Sequence, residues 1–528
     1  MEKKCQFWNA RSLSRVGKEV LIKSVAQAIP SYCMGAFLIP TSLCEELERM
    51  MNSLYWGSLK NGRCGINWMR WDKLTLHKSL GGLGFCNMEA FTLSMMGKQS
   101  WKLLTDSTSL LTRILKAKYF PRRDFLDASL GHNPSYTWRS LWSTQSLLTL
   151  GHRWKIGDGT KINFWNMSWI RSLPSLKPST IPPPHYKDLT VSHLLNSGMN
   201  SWNQMIVQSI FNHSDASAIL ATPFYSRTME DTRIWKASIN GSYSVKTAYR
   251  ICMDLLLEAT PSHGNYNWTS HWNLKIPPRV LSFLWRLAHQ CLPTRANLTT
   301  RGIPCEDSCV SCELLAETHM HAFFVCSKAA NCWEKIGLGN LICNLLLTAD
   351  NFTATLFNLF DKLSLHHQHL AVMLLWSLWK SHNAKLWEAT DTSPNFIISH
   401  AKGTLQKWSC MQRTKHQEQN LTHTSSWVKP PTGTTKCNVD AAMFDNNTIM
   451  RYGMYFRNSL GQLFLGKSGF LLSFATVLEA GSIALLESIK TAISNGMHTV
   501  LFETDCKSLV DALTSPTIPI SEFDNLVS

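Results

Sequence analysis

Apolar positions change their period along the chain, and the changes predict its organisation. Val20, Leu21, Val25 and Ile29 form a helical stripe that stops before Pro30, and the next apolar stretch closes at Pro40. Residues 1–150 therefore read as mainly helical. Gly81-Gly82-Leu83-Gly84 lacks the strand–loop–helix setting and the Lys-Ser/Thr of a phosphate loop, so it reads as a turn. From Gly151 the pattern alternates. Arg153-Trp154-Lys155-Ile156 and Lys161–Trp165 flank Gly157-Asp158-Gly159, which predicts a hairpin. Pro174–Pro184 is a proline-rich connector. Trp235–Ile239 and Tyr243–Val245 flank Asn240-Gly241, a second expected hairpin leading into a helix over Ala248–Leu257. The segments that follow are a Cys/His-bearing stretch within 241–335, a helical region with a polar linker over 336–425 and a last module at 436–528. No internal repeat is present.

The last module reads as strand, strand, strand, helix, strand, helix. Cys437 and Val439 alternate with Asn438 and Asp440, setting Asp440 on the face opposite Val439. Segments 452–457 and 462–467 flank an Asn-Ser-Leu-Gly turn. Ile483, Leu486, Lys490 and Ile493 share a helical stripe, with Glu479 one turn before it, which predicts an inward-pointing carboxylate. Val500–Phe502 is a short strand ending at Glu503-Thr504-Asp505, where Asp505 can cap the next helix.

Composition adds a partner class. The chain has 528 residues, 44% of them hydrophobic and 17% charged, enough for several buried cores. Residues 1–435 carry a net +19 and residues 436–528 a net −3, so a polyanion such as nucleic acid is the expected partner of the basic body. Lys116, Lys118, Tyr119, Phe120, Arg122 and Arg123 interleave charge with aromatics, as a nucleic-acid backbone track or as a solvated helix end. The 21 Trp recur at helical spacing (Trp138/Trp142, Trp165/Trp169, Trp376/Trp379) and read as core. The longest apolar run, Leu370–Trp379, is about half the ~20 residues that span a bilayer. The N-terminus lacks a secretory core, so the 16 Cys are expected as reduced thiols or metal ligands of an intracellular protein, nuclear or cytoplasmic.

Two constellations carry chemistry. Cys309, Cys312, His321 and Cys326 lie within 18 residues. A Cys-x-x-Cys turn followed by a His/Cys pair can converge tetrahedrally on a structural Zn²⁺. His319 competes with His321, Cys305 and Cys332 are alternates, and the bland alternative is a set of buried free thiols, over which the spacing favours a small metal-stapled module. The second constellation is Asp440, Glu479 and Asp505, three acids at a central strand, a helix start and a strand end. That pattern suits Mg²⁺ or Mn²⁺ and two-metal phosphodiester hydrolysis.

The motifs resemble a known family. Lys436-Cys437-Asn438-Val439-Asp440, Gly453-Met454 with Arg457-Asn458 and Gly461, Leu478-Glu479-Ala480 and Glu503-Thr504-Asp505-Cys506 resemble a type-1 ribonuclease H-like domain of the plant retroelement kind. The Cys309/Cys312/Glu317-Thr318/His321/Cys326 segment, preceded by Tyr243–Tyr249, is similar to the zinc-binding region of plant non-LTR retrotransposon reverse transcriptases. Gly17–Val25, Gly81–Phe85 and Trp154–Gly159 resemble the stretch that follows the polymerase in those elements. The resemblance implies a multidomain protein: a reverse-transcriptase tail at 1–150, a zinc-binding domain at 241–335, and an α/β ribonuclease H-like βββαβα domain at 436–528. It also implies cleavage of RNA in RNA–DNA hybrids, with Asp440, Glu479 and Asp505 as magnesium ligands.

There are departures from the family. No Tyr-x-Asp-Asp occurs, so no polymerase activity is expected, and Ala441 stands where the family has Gly. The sequence stops at Ser528, where the family continues with a strand and a helix bearing a fourth acid, so an incomplete domain with weak or no cleavage is expected. The competing expectation is a zinc-containing nucleic-acid-binding or interaction protein without catalysis.

Overall fold

The computed structural model describes residues 13–57, 59–60, 63–196, 201–222, 229–238, 240–258, 266–419, 429–444, 449–472 and 476–514. The chain folds into two compact units, each assembled from distant segments. The first unit comprises residues 1–34, 39–92 and 258–424; the second comprises 35–38, 93–257 and 425–528. Among the described residues no helix is long and apolar enough to cross a membrane.

The first unit is almost entirely helical. Helices Arg15–Ser24 and Thr41–Trp56 open it, and Pro278–Ala288, Ser327–Lys335, Phe352–Lys362, Leu365–Glu388 and Pro394–Gln419 follow. The last of these continues through 414–419, where a polar linker was expected; most of that linker lies outside the described residues. The Gly81–Gly84 segment is the turn that its sequence predicts, and its glycines have a packing reason. Gly81 has φ +85°, and a Cβ there would stand 2.6 Å from the Trp268 indole. Its carbonyl accepts from Trp285 Nε1 and His289 Nε2, both at 2.8 Å. Only a bare backbone fits against those rings.

In the second unit, the helix Leu110–Tyr119 delivers Tyr119 onto Trp138, with ring centroids 4.5 Å apart, and Phe120 is buried. Phe120 is core and Tyr119 is half-buried, while Lys116, Lys118, Arg122 and Arg123 are exposed. Trp138 and Trp169 are fully buried, and Trp165 nearly so, in keeping with the core reading.

Among the described residues neither expected hairpin forms. His152–Lys155 pairs antiparallel with Thr232–Trp235, joining the two sequence regions instead of closing each on itself. The reason is Asp231, which is buried and accepts from the N–H groups of Gly157 (2.7 Å), Gly159 (3.0 Å) and Lys161 (2.9 Å). The Gly-Asp-Gly turn thus wraps a distant carboxylate, and Gly159 adopts φ +75° to do so. Ile239, in the second expected hairpin, lies outside the described residues.

The last module has the expected βββαβα order: β1 (Thr435–Phe444), β2 (Ile449–Arg457), β3 (Leu463–Leu472), α1 (Val477–Ser494), β4 (Val500–Glu503) and α2 (Lys507–Thr514). The sheet order is β3-β2-β1-β4, antiparallel except that β4 runs parallel to β1. Cys437, Val439, Met450, Met454 and Phe456 form the sheet side of its core. Helix α1 meets them with Ala480, Ala484 and Ala492, all buried. This differs in part from the expected stripe: Ile483 packs at the margin of this core, but Ile493 is 71% exposed, and it is the small residues that let the helix approach the sheet.

Candidate metal centre and carboxylate site

The cysteine knuckle is built by local hydrogen bonds. Cys309 N–H donates to Leu315 O (2.7 Å), Glu313 N–H donates to Cys309 O (2.8 Å), and Ser311 N–H points at Cys309 Sγ (3.4 Å). The chain then enters a π-helical turn over His321–Val325, where Cys326 N–H reaches back to His321 O at 2.7 Å. In an α-helix, residues five apart diverge by roughly 140° around the axis. The wider turn brings Cys326 back toward the His321 side.

These elements gather one ligand atom each from Cys309, Cys312, His321 and Cys326 within 4.8 Å of one another. Cys309 Sγ lies 3.9 Å from Cys326 Sγ, and Cys312 Sγ lies 3.1 Å from His321 Nε2. Tetrahedral zinc with Zn–S near 2.3 Å has ligand edges of about 3.8 Å, so the spacing and the donor chemistry fit this ion. Cys309, His321 and Cys326 are buried, as a closed structural site requires. The thiol contact itself is polarised: accepting from Cys309 draws Cys326 down to about 7, and donating it pushes Cys309 up to about 12.

The alternates point elsewhere. His319 is buried against Phe352, and burial pulls its imidazole down to about 4. Cys305 is exposed and Cys332 contacts Pro394 O. Behind the knuckle stands Glu317, which is fully buried. Its Oε1 accepts from Arg295 N–H (3.0 Å), and its Oε2 accepts from Val310 N–H (3.2 Å) and pairs with His382 Nε2 (2.8 Å). One carboxylate therefore ties the knuckle to a helix start and to the long helix Leu365–Glu388. Sequence reading missed His382 and Arg295 because nothing local marks them.

The carboxylate constellation is arranged differently. Asn438 on β1 pairs in register with Glu503 on β4, and Asp440 and Asp505 each lie two residues further on. Both are exposed: Asp440 lies within β1, level with the point where β4 stops, and Asp505 lies just beyond the carboxyl end of β4. Glu503 is held in place by Lys436 Nζ (2.6 Å) and Asn438 Nδ2 (2.8 Å). Glu479 is buried, as its sequence position predicts, but its partners are specific. It closes a capping box with Thr476, whose N–H (2.7 Å) and Oγ1 (3.0 Å) donate to Oε2. It also receives a bidentate fork from Arg171, with Nη1 to Oε1 at 2.9 Å and Nη2 to Oε2 at 3.0 Å. Among the described residues the three carboxylates do not converge into a cluster like that of the thiols.

Residues 243–333 match the family described as zinc-binding in reverse transcriptase, and residues 438–528 match the family described as reverse transcriptase-like. The chain is a retroelement-derived protein. This protein is 25% identical over 336 residues to an Arabidopsis thaliana protein named "Putative ribonuclease H protein". The alignment covers 62% of this chain and 53% of the relative, so the chain spans about half that relative's length. It is also 36% identical over 152 residues to an Arabidopsis thaliana protein named "Uncharacterized mitochondrial protein", covering 29% of this chain and 98% of the relative. The retroelement-derived protein belongs to the family of that relative. It thus combines a reverse transcriptase zinc-binding domain with a ribonuclease H-like domain.

Proposed function

We propose that this retroelement-derived protein binds nucleic acid through its basic body and acts through its last module on the RNA strand of RNA–DNA hybrids. The observation that carries the reading is the register of β1 and β4, which sets Asp440, within β1, level with Asp505 just past the end of β4 in a βββαβα fold. The relative named as a ribonuclease H protein supports it. Asp440, Glu479 and Asp505 are the side chains that would hold Mg²⁺ or Mn²⁺, and their hard oxygens fit these ions. When bound, such ions activate water and stabilise the leaving oxygen. The chain's own part is to hold Asp440 and Asp505 at the same level of neighbouring parallel strands, with Lys436 and Asn438 fixing Glu503 two residues before Asp505. Cys309, Cys312, His321 and Cys326 hold a structural Zn²⁺ that closes the knuckle. The net +19 of residues 1–435 supports phosphate contact with little sequence preference.

A second reading, binding without catalysis, is favoured by one observation: the Glu479 carboxylate is already engaged by Arg171. Release of labelled RNA from a hybrid in Mg²⁺ or Mn²⁺ tests the choice. Cleavage that Asp440→Asn abolishes supports the catalytic reading. Binding without cleavage, or cleavage untouched by that substitution, rejects it.

A further inference from the structure

We propose that Arg171 is a latch on the ribonuclease H-like site, its guanidinium occupying the carboxylate that a divalent cation would otherwise take. The inference rests on the reading of Glu479 as a metal ligand. Glu479 accepts four hydrogen bonds, two from Arg171 and two from Thr476, and three of them fall on Oε2. A carboxylate has about four lone-pair directions, two on each oxygen, so Oε2 is saturated, and the one direction left on Oε1 belongs to an atom that already accepts from the Arg171 guanidinium. The pair is well shielded, with side-chain exposures of 11% for Arg171 and 4% for Glu479. Salt therefore screens it little.

Arg171 is also held ready. Its neighbours Trp169 and Ile170 are fully buried, and both their N–H groups donate to Leu176 O, at 2.8 and 3.0 Å. Leu176 takes φ +58° to close that turn. The fork thus projects from a fixed base, which lowers the entropy lost in forming it. The pair borders a cavity of about 470 Å³ whose lining includes Arg153 and Lys236. Three cationic side chains around one acid oppose a divalent cation by Coulomb repulsion. Glu479 meets these residues only because the segment at 171 folds in the same unit as the last module.

The test uses the full chain and follows Mn²⁺ binding by the electron paramagnetic resonance of free Mn²⁺, alongside hybrid cleavage. Arg171→Gln is expected to bind Mn²⁺ at least 10-fold more tightly than the parent chain, with Arg171→Lys between the two. Adding Asp440→Asn is expected to remove the gain. Arg171→Gln leaves Glu479 without a charged partner and risks lower stability. Arg171→Lys keeps a charge there, and the Mn²⁺-induced rise in Tm gives a second readout, larger in either variant than in the parent chain. Equal affinity in the parent and both variants overturns the latch and leaves the metal-site reading standing. Absence of Mn²⁺ binding by all of them at millimolar concentration overturns both. Tighter binding that ignores Asp440→Asn puts the ion elsewhere and overturns the latch.

Discussion

Replacing Glu317 by Gln removes one negative charge from a fully buried position while keeping the side chain's size. The structure sets the size of the effect. The carboxylate satisfies three donors: Arg295 N–H, Val310 N–H and His382 Nε2. An amide has one acceptor oxygen, so at least one of those donors then faces an N–H₂ group. An unsatisfied buried donor costs about 1–3 kcal/mol. Breaking a buried pair costs about 3–5 kcal/mol. We expect a loss of about 3 kcal/mol, which for a unit of this size lowers Tm by roughly 6–12 °C at neutral pH.

The pH dependence follows from the direction of the Glu317 shift. Burial raises its carboxyl, but the hydrogen bond and charge of His382, with the Arg295 and Val310 N–H groups, win and hold it below its ordinary value. A depressed carboxylate stabilises the fold above its unfolded pKa, near 4.3, and that stabilisation is lost as pH falls through the lower folded value. The gap between parent and variant should therefore narrow below about pH 4. Thermal melting of both proteins from pH 3 to 7 measures it. A Tm change under 2 °C at pH 7, or a gap that widens in acid, would refute the reasoning.

Three further outcomes are expected. Cys309→Ser and Cys326→Ser each lower bound zinc from one ion per chain by metal analysis, whereas Cys305→Ser does not; unchanged stoichiometry in the first two removes the ligand assignment. Burial, with His289 close by, depresses His271 to about 3. Its neutral form is thus required by the fold, stability is complete above the unfolded value near 6.5, and about 1.4 kcal/mol is lost per pH unit below it; His271→Leu should flatten the melting profile between pH 6.5 and 5, and an unchanged slope would count against this. Nucleic-acid affinity should fall steeply and log-linearly with salt, and a titration that is flat in salt rejects phosphate contact as its source.

The features legible in the sequence are those carried by short spacings. The Cys309/Cys312/His321/Cys326 cluster could be read because its ligands lie in one turn and one helical step, and the structure gathers those four atoms. The βββαβα order of the last module was legible for the same reason. Long-range partners were not. The expected hairpins failed because Asp231 and the strand at 232–235 compete for the Gly157–Gly159 turn from far along the chain. The stripe misled at Ile493, though not at Ile483, because close helix–sheet approach favours Ala480, Ala484 and Ala492, which a hydrophobicity pattern weights less. Arg171 stands 308 residues from Glu479, and no local signal links them.

The division of the chain into interleaved units has a consequence for its synthesis. The Gly81 carbonyl waits for Trp285, 204 residues downstream. At a translation rate of about 5–20 residues per second, that indole follows roughly 10–40 s later. Meanwhile the apolar faces of helices Arg15–Ser24 and Thr41–Trp56 are without the C-terminal part of their unit and lie open to other chains. Such an interval exceeds the time of hydrophobic collapse by many orders of magnitude. The yield of native protein should therefore be set by holdase chaperones at the ribosome exit, and should rise when the nascent chain is synthesised in their excess.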